Sequence, residues 1–163
     1  MRAKSIVISF LIFWQVAVNA QQSCDTLDYE AQFAYAMSLF EQDSMVTACE
    51  NFYKLVYMLE EDDSVKSKES KKKLTSICNA HLMLGHIYTH YDLIKIGLSH
   101  YSIALDYAKA MNSGHALSII YKFMALSHRA YNADSALYYH QKCLDAHPNH
   151  LNKIDLDKLK ADI

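Results

Sequence analysis

An all-α fold is what this sequence predicts, and three observations carry the prediction. Among 163 residues there are three Gly and one Pro, too few to turn the strands of a sheet, whose corners need Gly, Pro, Asn and Asp. Apolar residues recur at steps of three and four almost throughout, which is the period of one helical face. The stripes are also evenly spaced, as the helices of a repeating array are.

The first segment stands apart from that array. MRAKSIVISFLIFWQVAVNA opens with Arg2 and Lys4, continues in an apolar run from Ile6 to Val18, and ends on Val18-Asn19-Ala20. The run is about 13 residues, short of the roughly 20 that span a bilayer. A cleaved export signal over residues 1–20 is therefore expected, with no membrane span in the mature chain. Gln21 stands where a lipoprotein signal needs an aliphatic residue, so lipidation of Cys24 is not expected.

The elements of the array follow in order. Tyr29, Phe33, Ala36, Met37 and Phe40 form one stripe, and Ala48, Phe52, Leu55, Val56 and Leu59 the next. Ile77, Leu84, Ile87, Tyr88 and Tyr91 precede Leu98, Tyr101, Leu105 and Ala108. Ile119, Phe123 and Leu126 precede Ala136, Tyr139, Cys143 and Leu144. These are six amphipathic helices in three pairs. Between the first two pairs, the charged stretch Glu60 to Lys73 is expected to be a loop followed by a solvated extension of the third helix, with Asp62, Asp63 and Ser64 as starting residues. After Pro148, Leu151, Ile154, Leu159 and Ile163 lie among charges, suiting a helix that covers the last apolar face.

The middle pair has His81, then Leu84-Gly85, then Tyr88, and after the bend Gly97, Tyr101 and Ala104. Gly85 and Gly97 would let two helices approach closely, with Tyr88 and Tyr101 filling the space beside them. Tyr35-Ala36 with Ala48, Phe52 and Leu55 in the first pair, and Ala136, His140 and Cys143 in the third, repeat the pattern more loosely. In this the chain resembles the tetratricopeptide repeat family, over residues 29 to 150. The family's frequent first tryptophan is replaced by Gln32, His81 and Ile120, and Phe123-Met124 stand where Leu-Gly is expected. Ala48 to Gly97 is 49 residues and Gly97 to Ala136 is 39, so the chain looks like the longer variety found in bacterial signalling proteins. The resemblance implies a right-handed superhelical stack of about three helix-turn-helix repeats, over about 29–61, 74–110 and 115–148, plus a C-terminal capping helix over about 151–163. Residues 21–163 then form one domain.

Charge narrows the partners. Removing Arg2 and Lys4 with the signal leaves 14 basic against 18 acidic side chains, a net charge near −4. That balance argues against nucleic acid, which needs a basic footprint. The four cysteines invite a disulfide framework. Cys49 and Cys78, however, fall on consecutive antiparallel helices at levels about 15 Å apart, beyond the roughly 7 Å between Cα atoms that a bridge allows. Cys143 reads as a buried free thiol, and Cys24 with Cys78 is the pairing still within reach.

No catalytic constellation stands out. The glycines are isolated at Gly85, Gly97 and Gly114, so there is no phosphate-cradling loop. No Ser, His and Asp share a nucleophile elbow. The stretch HLMLGHIYTH places His86 and His90 one turn apart with His81 nearby, but Ile87 stands where a helix-borne zinc protease has Glu, and a site needs three or four ligands. These histidines are expected on the exposed flank of a repeat helix, and His147, Pro148, Asn149 and His150 in a polar exit turn. Neither an enzyme nor a cofactor nor a metal is expected.

The family binds peptides or helices along a concave groove lined by the first helix of each pair. The resemblance therefore implies a partner-binding surface at Phe33, Met37 and Phe40, then Asn79, Leu82, His86 and Thr89, then Tyr121, Ala125 and His128, with Tyr121 and His86 flanking its middle. The carboxylate clamp of the best-known members is not matched, since Leu82 and Tyr121 replace its basic residues. An apolar and aromatic groove suits a helix or an extended peptide. The expected function is an exported protein–protein interaction module, periplasmic or secreted. The alternative is an extracytoplasmic sensory fragment of a membrane-bound transcriptional regulator or histidine kinase.

Overall fold

A computed structural model describes residues 29–61 and 69–146. Among them are six α-helices and no strand: α1 (Tyr29–Glu41), α2 (Met45–Glu61), α3 (Glu69–His90), α4 (Ile94–Ala110), α5 (Gly114–His128) and α6 (Ala133–Ala146). The fold class is thus all-α. The expected signal (1–20), Cys24 and its possible partnership with Cys78, the acidic start at Asp62 to Ser64, the Pro148 turn and the capping helix (151–163) lie outside the described residues. No helix of the described residues is long and apolar enough to cross a membrane.

Four of the connections between these helices are described, and three of them share one geometry. Asp43, Asp92 and Asn112 each adopt a left-handed φ, of 61°, 61° and 50°. In each turn the residue's own N–H bonds a carbonyl three back, and the following N–H bonds one five back. Asp43 reaches Phe40 and Ser44 reaches Leu39; Asp92 reaches Thr89 and Leu93 reaches Tyr88; Asn112 reaches Lys109 and Ser113 reaches Ala108. This is the Schellman closure, with Asp or Asn where Gly is usual. The residue that closes one helix then opens the next, since Ala48, Gly97 and Leu117 donate to the carbonyls of Ser44, Leu93 and Ser113. Ser113 Oγ also accepts from the Ala116 N–H at 3.3 Å, capping α5. The fourth turn, between α5 and α6, has no left-handed residue. There Tyr131 and Asn132 donate back to the His128 carbonyl, and the Asn132 side chain accepts from the Ser135 N–H at 2.9 Å.

Such short turns make neighbouring helices antiparallel. Each helix packs on the next in sequence, and α3 also touches α1 and α5, so the first helices of the three hairpins lie side by side. The core has two parts. One gathers Ala36, Phe52, Leu55, Leu59, Ile77, Leu84 and Ile87 between the first hairpin and α3. The other gathers Cys78, Tyr101, Ala104, Ile120 and Met124 between the second hairpin and α5. Helix α3 serves both because Leu84 and Ile87 face one way while Cys78 faces α4, donating its thiol to the Ala104 carbonyl at 3.3 Å.

The second hairpin is the most tightly closed. A Cβ on Gly85 would lie 2.5 Å from the Tyr101 ring, and one on Gly97 would lie 2.8 Å from the Gly85 carbonyl. Only glycine at both positions allows this approach, and Tyr101, fully buried, fills the space it creates. Some expectations require correction. His81 is buried rather than on an exposed flank, because the 81 position points into the α3–α4 seam, and His86 is half-buried between rings. Ala125 is fully buried and cannot line a groove. Lys73, expected in a solvated extension, is buried as well, whereas Lys71 and Lys72 are exposed.

Candidate functional site

Helix α3 lies between α1 and α5, and open hollows run along its N-terminal half. One, of about 440 Å³, lies between α1 and α3 and is lined by Phe33, Lys71, Thr75 and Asn79 among others. The other, also about 440 Å³, lies between α3 and the start of α5, with Leu82, Met111, His115, Ile119 and Ile120 in its walls. Lys71, Thr75 and Asn79 border both, so the two hollows meet across the crest of α3. Their size is that of a small-ligand or short-peptide site. A third hollow, of about 320 Å³, lies at the other end of α3, between His86, His90, Phe123 and Tyr131. Tyr131 closes its rim by donating a hydrogen bond to the Asp92 carboxylate.

The expected groove residues divide between these places. Phe33, Asn79 and Leu82 border the paired hollows, while Phe33 also packs its ring on Phe52 at 5.6 Å. Met37 is half-buried against the first core. His86 sits between Phe40, 5.7 Å away on α1, and Phe123, 5.1 Å away on α5, so one aromatic run joins all three first helices. Thr89 receives or gives a hydrogen bond at the Tyr101 hydroxyl, 3.2 Å away. Tyr121 and His128 gather instead around Tyr139 of α6, at 6.3 and 5.4 Å. Tyr121 does not meet His86; Phe123 takes that place. The reason is rotational: residues two apart on a helix point to different sides.

A second feature lies behind the first-helix face, where α2, α3 and α4 meet. The Nδ1 atoms of His81 and His100 are 3.0 Å apart. His100 Nε2 meets the Tyr53 hydroxyl at 2.9 Å, which meets the Tyr88 hydroxyl at 3.0 Å. The Cys49 thiol donates to Tyr88 at 3.9 Å. Tyr88 stacks on His100 at 5.4 Å with rings almost parallel, and Tyr107 stacks on His81. Burial, and then the neighbouring His100, push the His81 pKa down to about 4. Burial also lowers His100. Tyr88 is raised by its hydrogen bond to Tyr53 and then by burial.

The residues of HLMLGHIYTH therefore diverge. His81 faces α4, His86 faces α1 and α5, and His90 is exposed beside Tyr91. Among the described residues no three His, Cys, Asp or Glu side chains are grouped to hold a metal ion. The buried Cys78 thiol is a poor nucleophile, since burial pushes it up to about 11; the Cys143 thiol rests against the Ser118 hydroxyl at 3.2 Å. His100 and Tyr53 do not stand out in the sequence as site residues. A signal is nonetheless present: Asn51 and His100 are 49 residues apart, as are Gln32 and His81, and Gln32 meets Asn51 across the first hairpin as His81 meets His100 across the second.

What the described residues define is an all-α protein of three helical hairpins with a hollowed first-helix face. No protein-family model, curated protein or solved structure matches the chain.

Proposed function

We propose that this chain is an exported protein–protein interaction module of the tetratricopeptide kind, binding a peptide or helix along the first-helix face without catalysing a reaction. The observation that carries the reading is the pair of hollows meeting at Asn79, which together run from α1 over α3 to α5. An extended segment lying across them would meet apolar walls at Phe33, Leu82 and Ile119 and hydrogen-bonding groups at Thr75 and Asn79. That mixture of apolar pockets with a few polar groups suits peptide capture. The positive start and apolar run of residues 1–20 support export.

The test is capture from an extract of the compartment where fractionation places the protein, followed by titration of the recovered partner. A stoichiometric protein should be recovered. Leu82→Asp, at a half-buried wall of the hollow, should weaken its binding tenfold or more, a loss above about 1.4 kcal/mol, in protein that circular dichroism shows still folded, since Leu82 also packs on the second core. Tyr121→Ala, beside Tyr139 and outside the hollows, should weaken it less. Repeated failure to recover any protein, or equal affinity in the Leu82→Asp protein, would overturn the reading.

A further inference from the structure

We infer that the His81–His100 pair is an acid-sensitive latch, holding the first hairpin to the second while both rings are neutral and opening when a proton is added. Where protons can sit along the chain of ring nitrogens and hydroxyls decides how the latch behaves.

Two neutral imidazoles meeting Nδ1 to Nδ1 at 3.0 Å share a single bridging proton. If His100 Nδ1 carried it, His81 would carry its own proton on Nε2. That nitrogen is buried and has no hydrogen-bond partner, and orphaned buried N–H donors are rare. The other arrangement avoids the orphan donor. His81 Nδ1–H donates to His100 Nδ1, His100 Nε2–H donates to the Tyr53 hydroxyl, and Tyr53 donates onward to Tyr88. His81 Nε2 is then a bare lone pair, and it is the one basic nitrogen of the pair left free.

An added proton must therefore land on His81 Nε2. It would create a cation whose new N–H meets no acceptor, in a seam where His81 is 5 % exposed. The groups facing the pair do not compensate. From α2 come the neutral Tyr53 hydroxyl and, through Tyr88, the Cys49 thiol; from α3 comes Tyr88; from α4 comes the Tyr107 ring. Glu60 reaches Tyr107 and not the imidazoles, and no charged group of α1 or α5 bears on either ring. Placing a proton on both Nδ1 atoms instead would set N–H against N–H at 3.0 Å. Well above pH 4 the pair takes up a proton only by letting His81 reach water.

Releasing His81 removes the donor that fixes His100, and His100 is the group that Tyr53 of α2 grips on α4. The Tyr53–His100 bond spans the two hairpins, so loosening His100 loosens one hairpin from the other. The sign follows from burial: a solvated ring takes its proton near 6.5, the closed one at about 4. Opening therefore becomes easier as pH falls from 6.5 towards 4, and linkage makes it about twentyfold more frequent at pH 5 than at pH 7.

The test joins two measurements on the whole protein. Ring nitrogen chemical shifts should show His81 neutral and Nδ1-protonated at pH 7, and still unprotonated on Nε2 near pH 5 in the closed state. Amide exchange, corrected for its intrinsic pH dependence, should show protection of facing α2 and α4 amides falling tenfold or more between pH 7 and 5. In the double variant His81→Gln, His100→Asn, which carries the amide pair found at the same positions of the first hairpin, that fall should shrink below threefold. A His81 ring titrating near 6.5 with protection unchanged would overturn the inference. So would an equal loss of protection in the double variant, which would assign the acid response to another group such as the buried His140. If the double variant does not fold, the ring shifts and exchange of the unaltered protein decide the matter alone.

Discussion

Gln32 and Asn51 meet across the first hairpin at 3.4 Å. Forty-nine residues further on, at the same places in the second hairpin, His81 and His100 meet at 3.0 Å. After another 39 residues the third hairpin has Ile120 and Tyr139 there, packed in one apolar cluster. The backbone relation is repeated, and each hairpin answers it with different chemistry. An amide pair satisfies itself at any physiological pH, an isoleucine–tyrosine contact needs no hydrogen bond between its members, and an imidazole pair is satisfied only while neutral. At these positions the first two hairpins therefore differ in response rather than in shape. A second contrast accompanies it: Ala36 and Ala48 of the first hairpin are matched by Gly85 and Gly97 in the second, so the second closes more tightly around a larger ring, Tyr101 in place of Phe52.

The largest break in this comparison should come from Gly85→Leu. Its side chain would enter the Tyr101 ring, with the Gly97 carbonyl 3.1 Å from the new Cβ, so backbone as well as side chain must move. A loss above about 4 kcal/mol is expected, enough to unfold a marginal domain, and urea titration followed by circular dichroism measures it. Phe52→Ala should fall near or just below this, at about 3–5 kcal/mol, because a fully buried ring leaves a cavity. Ala36→Leu, at the place in the first hairpin that matches Gly85, should cost about 1–3 kcal/mol. Equal losses for Gly85→Leu and Ala36→Leu would show that the second hairpin is no tighter than the first.

Two smaller effects sharpen the contrast. The double variant His81→Gln, His100→Asn should lose most of the fall in Tm that the unaltered protein shows from pH 7 to pH 5. The residual fall should come from His140 and His86, whose pKa values burial also lowers. A full acid response in that variant would return the two hairpins to equivalence. Smallest of all, Asp43→Gly should stabilise the protein by about 0.5 kcal/mol by relieving its left-handed φ of 61°. Asp92→Gly, with the same φ, should gain less because it also removes the acceptor of the Tyr131 hydroxyl. Thermal melts of the two variants, side by side, measure the value of that bond.

Particular residues show where reading the sequence succeeds and where it stops. The step from Gly97 to Tyr101 to Ala104 announces a close helix pair, and all three are buried. The turns at Asp43 and Asp92 are not legible in the same way, because Asp tolerates the left-handed region without requiring it, so its presence alone does not mark a Schellman closure. The histidines mislead for a related reason. One turn separates His86 from His90, yet His86 lies between two rings and His90 in solvent, and the period of a helix does not say what stands opposite each flank. Tyr121 and Phe123 show the same limit, since which of them meets His86 depends on how α5 is rotated against α3.

Periodicity and the scarcity of turn formers determined by themselves that the protein is helical and built of paired amphipathic segments, because both follow from covalent geometry along the chain. Only the tertiary structure decided that the crest of α3 divides two hollows, and that a histidine at position 81 spends its Nδ1 on another from position 100. Those outcomes depend on distances between residues of different helices. Such distances come from close packing, which matches the shapes of whole faces at once, so glycines can mark a close helix pair without saying which residues meet across it.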